Sequence, residues 1–204
     1  MSSPVTLVFD FGNVLGFFSH RKAAEQLAAH SPLSADEILA LYLDSDLEVE
    51  IESGRMSLPD FRREVRQRCR ITCGDDQLDL AIADMFSPNE AVCTLIPILK
   101  RRYRLVLLSN TNELHARHFR RQFADTLEHF DALVLSHEVG IRKPSAGIYH
   151  HCQTVAQADP RECVFVDDLP QNIEAARACG WRGVVYRPEL DLRRELNQLG
   201  IECD

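Results

Sequence analysis

Apolar residues gather into five short runs along the chain, at 5–9, 105–108, 132–135, 163–166 and 183–186. None of them alternates apolar with polar positions, so each predicts a strand buried on both faces, as in a parallel sheet. Between the runs the apolar spacing turns helical. Val92, Leu95, Ile96 and Leu99 follow Ser87-Pro88-Asn89-Glu90, which reads as a capping serine, a proline at the first helical position and a glutamate three after the cap. Residues 145–158, 171–179 and 189–199 predict further helices, with Gly180 where a C-terminal cap belongs. Strand–helix alternation of this kind predicts a doubly wound α/β domain on a parallel five-stranded sheet.

One interval breaks the alternation. No strand is predicted between Phe9 and Leu105, a gap far longer than an ordinary crossover. Ser34-Ala35-Asp36-Glu37 is a capping box there, with Leu33 and Ile38 spaced as its hydrophobic staple, and Ser57-Leu58-Pro59-Asp60 opens another helix. The interval therefore predicts a small helical cap domain, residues 17–85, inserted after the first strand and lying over the functional edge of the sheet. The α/β core is then 1–16 plus 86–204. The chain carries no internal repeat and no low-complexity stretch.

Composition narrows the partners. A formal charge of −8 disfavours nucleic acid and anionic membranes. The arginines at 62, 63, 66, 68 and 70, and at 117, 120 and 121, have helical spacing and read as solvated faces. Seven cysteines without a CxxC pair fit a reducing compartment and no disulfide framework. With no apolar run of membrane-spanning length and no basic-then-apolar leader, a cytoplasmic setting is expected, as monomer or homodimer.

The chemistry gathers at the strand ends. The first run ends in Asp10, the second in Ser109-Asn110-Thr111-Asn112 and the fourth in Asp167-Asp168, while Lys143-Pro144 follows the third. Ligands of open parallel sheets bind beyond the carboxyl ends of the strands. Carboxylates, a hydroxyl and an ammonium converging on that edge suggest a hard cation and an anionic, oxygen-rich ligand. An aspartate attacking a phosphate dianion needs its charge repulsion relieved, by a carboxylate-held Mg²⁺ and a lysine. Backbone N–H groups in the turn after Asp10, at Phe11 and Gly12, would orient phosphoryl oxygens. Gly12, without a Cβ, permits close approach of the backbone to a ligand.

These segments resemble the motifs of the haloacid dehalogenase-like (HAD) superfamily, in its capped phosphatase branch with a Rossmann-like core. "FDFGNV" is similar to the first motif, "LLSNTN" to the second, "RKP" to the third and "FVDDLPQN" to the fourth. DFGNV, SNTNELH and GIRKPSAGIYHH together are similar to a subgroup that includes bacterial sugar-phosphate phosphatases acting on glucose 1-phosphate. The resemblance implies Mg²⁺-dependent hydrolysis of a small phosphate monoester through an aspartyl-phosphate on Asp10. It implies that Asp10, the Gly12 carbonyl and Asp168 hold the metal, with Asp167 acting through water or by orienting Asp168, and Asn172 supporting the metal waters. Ser109 and the Asn110 backbone would hold the phosphate, and Lys143 would bridge it and the nucleophile.

The chain departs from that pattern at Gly12, where most phosphatases of the superfamily carry the aspartate that protonates the leaving oxygen. General acid–base catalysis is worth about a hundredfold to ten-thousandfold, so its loss matters. Three readings stay open: slow turnover or a substrate with a good leaving group; an acid recruited from His20 or from Asp44, Asp46 or Glu48; or a site that binds without turning over. A 2-haloacid dehalogenase and a non-catalytic phosphate-binding module are the alternative functions. Of the remaining candidates, His115 lies close after the second motif and Phe17 and Phe18 flank the cap hinge. His118, His150, His151 and Trp181 read as surface or packing residues.

Overall fold

The computed structural model describes residues 5–43 and 46–204. After β1 (Thr6–Phe9) a tight turn leads to β2 (Gly16–Phe18), and then to the helices α1 (His20–Ala28), α2 (Ala35–Leu43), α3 (Leu47–Glu52), α4 (Leu58–Cys69) and α5 (Asp75–Ala83). The chain returns through β3 (Phe86–Pro88), α6 (Glu90–Cys93) and α7 (Ile96–Lys100) to β4 (Arg104–Ser109). It continues with α8 (Glu113–Gln122), α9 (Ala124–Leu127), β5 (Ala132–Leu135), α10 (Ser136–Val139) and α11 (Ala146–Ala156). It closes with β6 (Cys163–Asp167), α12 (Pro170–Ala178), β7 (Arg182–Val185) and α13 (Leu192–Gln198).

The five expected strands form one parallel sheet in the order β5-β4-β1-β6-β7. Because strand side chains alternate between faces, the two faces carry separate cores. Leu7, Phe9, Leu105, Leu107, Val164 and Val166 pack on one side with Leu95, Ile96, Leu99 and Phe119. Val8, Val106, Leu108 and Phe165 pack on the other with Ile148, Tyr149, Ile173 and Trp181. Both faces are covered, which is why these runs read as unbroken apolar stretches. Trp181 stands edge-on to Tyr149 and Phe165, at 5.4 and 5.9 Å between ring centroids, so it is a packing residue. The order also makes β1 the switch point: the chain runs outward through β4 and β5, then crosses to β6 and β7 on the other side. Ligands of such sheets bind there.

The helices α1 to α5 hold a third core, with Ala24, Leu27, Ile38, Ile51, Phe61, Val65 and Leu78 buried together. From the sheet side Leu114 of α8 joins it. The Ser34 box closes as expected: the Glu37 N–H donates to Ser34 Oγ at 3.3 Å and the Ser34 N–H to Glu37 Oε2 at 2.8 Å. Ser57 likewise caps α4, accepting from the Asp60 N–H at 3.2 Å. The arginines of α4 face acids: Arg62 pairs with Asp79, Arg66 with Asp75 and Arg68 with Glu64. They form a solvated, neutralised face.

The structure corrects the expected helix at Ser87. Phe86–Pro88 pairs antiparallel with Gly16–Phe18 instead. This two-stranded ribbon carries the chain into and out of the insert. Helix α6 starts after Asn89, whose amide is spent on the Val14 carbonyl and the Tyr186 hydroxyl at 2.8 Å each. The expected helix 189–199 begins later, at Leu192, because Asp191 supplies the cap by accepting from the Arg194 N–H at 3.1 Å. No helix among the described residues is long and apolar enough to cross a membrane.

Candidate active site

Three strand ends and one loop meet at the switch point. Asp10 follows β1, with its N–H donating to the Val166 carbonyl at 2.9 Å, so the sheet ladder itself fixes its backbone. Its Oδ1 accepts from the Phe11 N–H at 2.7 Å and lies 2.7 Å from Lys143 Nζ. The same ammonium is 2.8 Å from Asp167 Oδ2 and donates to the Leu108 carbonyl at 3.0 Å. All three donors of Lys143 are thereby used, within a side chain that is 1% exposed.

Asp167, the last residue of β6, is wholly buried and bound on every side. Besides Lys143 it accepts from the Leu169 N–H at 2.8 Å and from Asn172 Nδ2 at 2.9 and 3.1 Å. Asp168 is half-buried, and its Oδ2 accepts from Asn13 Nδ2 at 3.0 Å. Asn110 ties the second motif to the third: its Oδ1 accepts from the Lys143 N–H at 2.8 Å, and its Nδ2 donates to the Lys143 carbonyl at 3.0 Å. Ser109 is buried at the end of β4 and lines the same cleft.

Charge decides what this arrangement can hold. Among the described residues, Asp10, Asp167 and Asp168 are the acidic, His or Cys side chains placed to share one cation, with ligand oxygens within 4.8 Å of one another. Three carboxylates face a single ammonium. Burial, the largest influence, pushes the Asp10 carboxyl up to about 8 against the pull of Lys143, and Asp167 and Asp168 push it further the same way. Burial likewise raises Asp168. Burial lowers the Lys143 ammonium, but Asp10 and Asp167 outweigh that and the net shift is upward. A divalent cation on the oxygen side fits this donor set and supplies the charge it lacks. Asn172 Oδ1, buried and without a hydrogen bond among the described residues, is a further oxygen at the site.

A cleft of about 290 Å³ opens over these groups. Its floor includes Asp10, Gly12, Ser109, Lys143 and Asp168; its roof is built by Phe18, His20, Glu48 and Glu52 of the insert. Phe11 contributes backbone, because its ring stacks on Phe119 at 4.1 Å within an aromatic cluster. Phe18 lines the cleft, and Phe17 is not among its walls. The same holds for Asp46; Asp44 lies outside the described residues. His115 also lines the cleft: Asn112 Nδ2 sits 3.0 Å from its Nδ1, while its buried Nε2 has no hydrogen bond among the described residues. Burial, then the charge of His20, holds the His115 ring neutral by lowering it to about 4, against a weaker opposite pull from the Ile82 carbonyl. His118 lies beside Asp84 at 3.6 Å, and His150 and His151 are exposed on α11.

A family model described as haloacid dehalogenase-like hydrolase matches residues 6–180. The chain belongs to that family. Among relatives of the hydrolase, the D-ribitol-5-phosphate phosphatase of Bacteroides thetaiotaomicron is 27% identical over 198 residues, 93% of this chain and 95% of that one. A HAD family enzyme from Bacteroides thetaiotaomicron, crystallised with magnesium and inorganic phosphate, superposes with a TM-score of 0.81 at 23% identity, over 95% of the hydrolase and 99% of that chain. L-2-haloacid dehalogenase from Xanthobacter autotrophicus, with chloropropionic acid covalently bound, gives a TM-score of 0.66 at 18% identity, over 98% and 84%. The two structural likenesses speak to the fold.

Sequence reasoning missed three members of the hydrolase's site. Asn13 sits inside the quoted first motif, in the left-handed region at φ 54°, where its amide reaches Asp168. Glu52 of α3 and Arg142 pair across the cleft wall, Oε2 to Nη2 at 2.6 Å. Burial, then Glu48, pushes the Glu52 carboxyl up to about 7, although Arg142 and Lys143 pull it down. Arg142 adjoins the third-motif lysine, which was a usable signal. Glu52 had none, because its partner is distant in sequence.

Proposed function

We propose that this hydrolase is a Mg²⁺-dependent phosphatase of small phosphate monoesters, sugar or polyol phosphates among them, with Asp10 as the nucleophile. The observation that carries the reading is the convergence of three carboxylates at the switch point, two of them on one buried ammonium. The D-ribitol-5-phosphate phosphatase relative, similar over nearly its full length, supports the substrate class. Asp10, the Gly12 carbonyl and Asp168 are the residues to hold Mg²⁺, which when bound neutralises the carboxylates and the incoming phosphate. Asp10 then attacks phosphorus, the bond to the leaving oxygen breaks, and an aspartyl-phosphate forms. Lys143 stays beside Asp10 and offsets the charge on the phosphoryl oxygens. Asp167 holds Lys143 in place, and Asn172 holds Asp167. Ser109 and the Asn110 backbone take the phosphoryl oxygens. Water cleaves the intermediate at phosphorus and frees Asp10.

In this reading residues 17–85 form the cap and 1–16 with 86–204 the core, so that the cap's Phe18, His20, Glu48 and Glu52 select the ester's alcohol. Halide displacement at carbon requires no cation and leaves the converging carboxylates without a purpose. A panel of sugar, polyol and aryl phosphates, assayed with Mg²⁺ and with EDTA, tests the proposal. Phosphate release that needs Mg²⁺ is expected. Release that survives EDTA, or halide release from 2-chloropropionate with no phosphate release, would overturn it.

A further inference from the structure

The phosphatase reading leaves one proton unassigned, since Gly12 has no side chain to give. The space is not open either. A Cβ at Gly12 would lie 3.1 Å from Cε1 and 3.3 Å from Cδ1 of Phe18, so the Phe18 ring covers the place of the missing side chain. The His20 ring stands edge-on to that same ring, with centroids 5.2 Å apart and planes at 74°. Glu48 Oε1 of α3 lies 3.9 Å from His20 Nε2, and both residues wall the cleft above Asp10.

Among the described residues, the other titratable groups of the cleft are less well placed to give a proton. Asp10 and Asp167 share Lys143, and Asp168 is held by Asn13. Glu52 is spent on Arg142, on the third-motif wall. His115 has Nδ1 against Asn112, and its buried Nε2 has no hydrogen bond among the described residues. A ring held neutral there is a poor acid.

We propose that His20, supported by the Glu48 carboxylate, is the proton donor to the leaving oxygen and replaces the side chain absent at position 12. This rests on the phosphatase reading of the same site. In the first half-reaction the electron pair of the breaking P–O bond goes to the leaving oxygen, which takes a proton from the His20 imidazolium and departs as alcohol. In the second, water forms the new P–O bond and gives a proton to the neutral imidazole. The P–O bond to Asp10 breaks with its pair returning to the carboxylate. The sum is ester plus water to alcohol plus phosphate. Carrying the acid on the insert makes proton delivery depend on the insert's position over the sheet.

Leaving-group dependence tests this in the full-length, Mg²⁺-loaded enzyme. p-Nitrophenyl phosphate departs without a proton, whereas an alkyl phosphate needs one. The alkyl ester is the one that wild type turns over fastest in the panel above. His20→Asn is expected to lower kcat on the alkyl ester by about a hundredfold or more, and on the aryl ester by less than about fivefold. Glu48→Gln, which leaves the His20 ring in place, is expected to lower kcat on the alkyl ester by about tenfold and on the aryl ester by less than about twofold. Equal losses on both esters in a His20→Asn protein that melts like wild type, or in Glu48→Gln, would overturn the proposal. So would a wild type active on aryl but on no alkyl phosphate. A wild type that releases phosphate from neither ester overturns the phosphatase reading itself.

Discussion

The carboxyl edge of the sheet and the helical insert above it wall one cleft, yet they are built differently. At the edge the buried charged groups are bound from several sides: Lys143 by two carboxylates and a carbonyl, Asp167 by an ammonium, an amide and a backbone N–H. Strand ladders fix the backbones that carry them. The insert has its own apolar core, and from it presents a half-exposed ring, a histidine and two glutamates to the same space. Phe18 is 36% exposed, against 4% for Lys143. Buried, multiply bound charges sit on one side; on the other, more exposed groups stand beside the buried Glu52. Substitutions on the two sides should therefore fail in different ways.

The largest difference belongs to Lys143. In Lys143→Met, Asp10 and Asp167 face each other with no ammonium between them, and a buried charge left without its partner is costly. We expect kcat with saturating Mg²⁺ to fall by about a hundredfold to a thousandfold on aryl and alkyl esters alike. A loss confined to alkyl esters would erase the distinction between edge and insert. Next comes position 12. Gly12→Asp alone should gain nothing on alkyl esters, because the new Cβ meets the Phe18 ring. With Phe18→Ala the carboxylate has room, and the pair should restore about tenfold of the turnover lost in His20→Asn. A rise of that size in Gly12→Asp by itself would show that the insert was not supplying the proton.

The smallest effect is on stability. The folded-state value for Glu52, about 7, lies above the unfolded one, so between the two the folded state binds the extra proton. Stability from this group is full below the unfolded value and is lost as pH rises toward 7. The cost approaches about 3 kcal/mol at its upper bound. Urea midpoints of Glu52→Gln should therefore fall less steeply than those of wild type between about pH 5 and 7.5. Parallel curves would mean that Arg142 keeps Glu52 ionised throughout.

How much of this was legible follows the same division. The strand ends were readable because a parallel strand buried on both faces leaves an unbroken apolar run, and the first polar residue after it must emerge at the ligand edge. Asp10, Ser109 and Asp167-Asp168 all obey that rule. Lys143 was readable from its place after the third run. The ribbon of Gly16–Phe18 with Phe86–Pro88 was not, since three-residue strands carry too little periodicity and Ser87-Pro88 mimics a helix start. Helical spacing marked the insert. Which face of α3 would meet the cleft depended on how its core docks, so Glu52 stayed hidden while Glu48 was named only as one acid of three.

On the proposed mechanism, Asp10 becomes covalently phosphorylated during turnover. Rapid acid quench of the Mg²⁺-loaded enzyme with its best alkyl phosphate, followed by mass spectrometry of the peptide containing Asp10, measures it directly. A phosphoryl adduct on Asp10 is expected at short times, absent from Asp10→Asn, which should also lose turnover. Steady phosphate release by Asp10→Asn at the wild-type rate would contradict it.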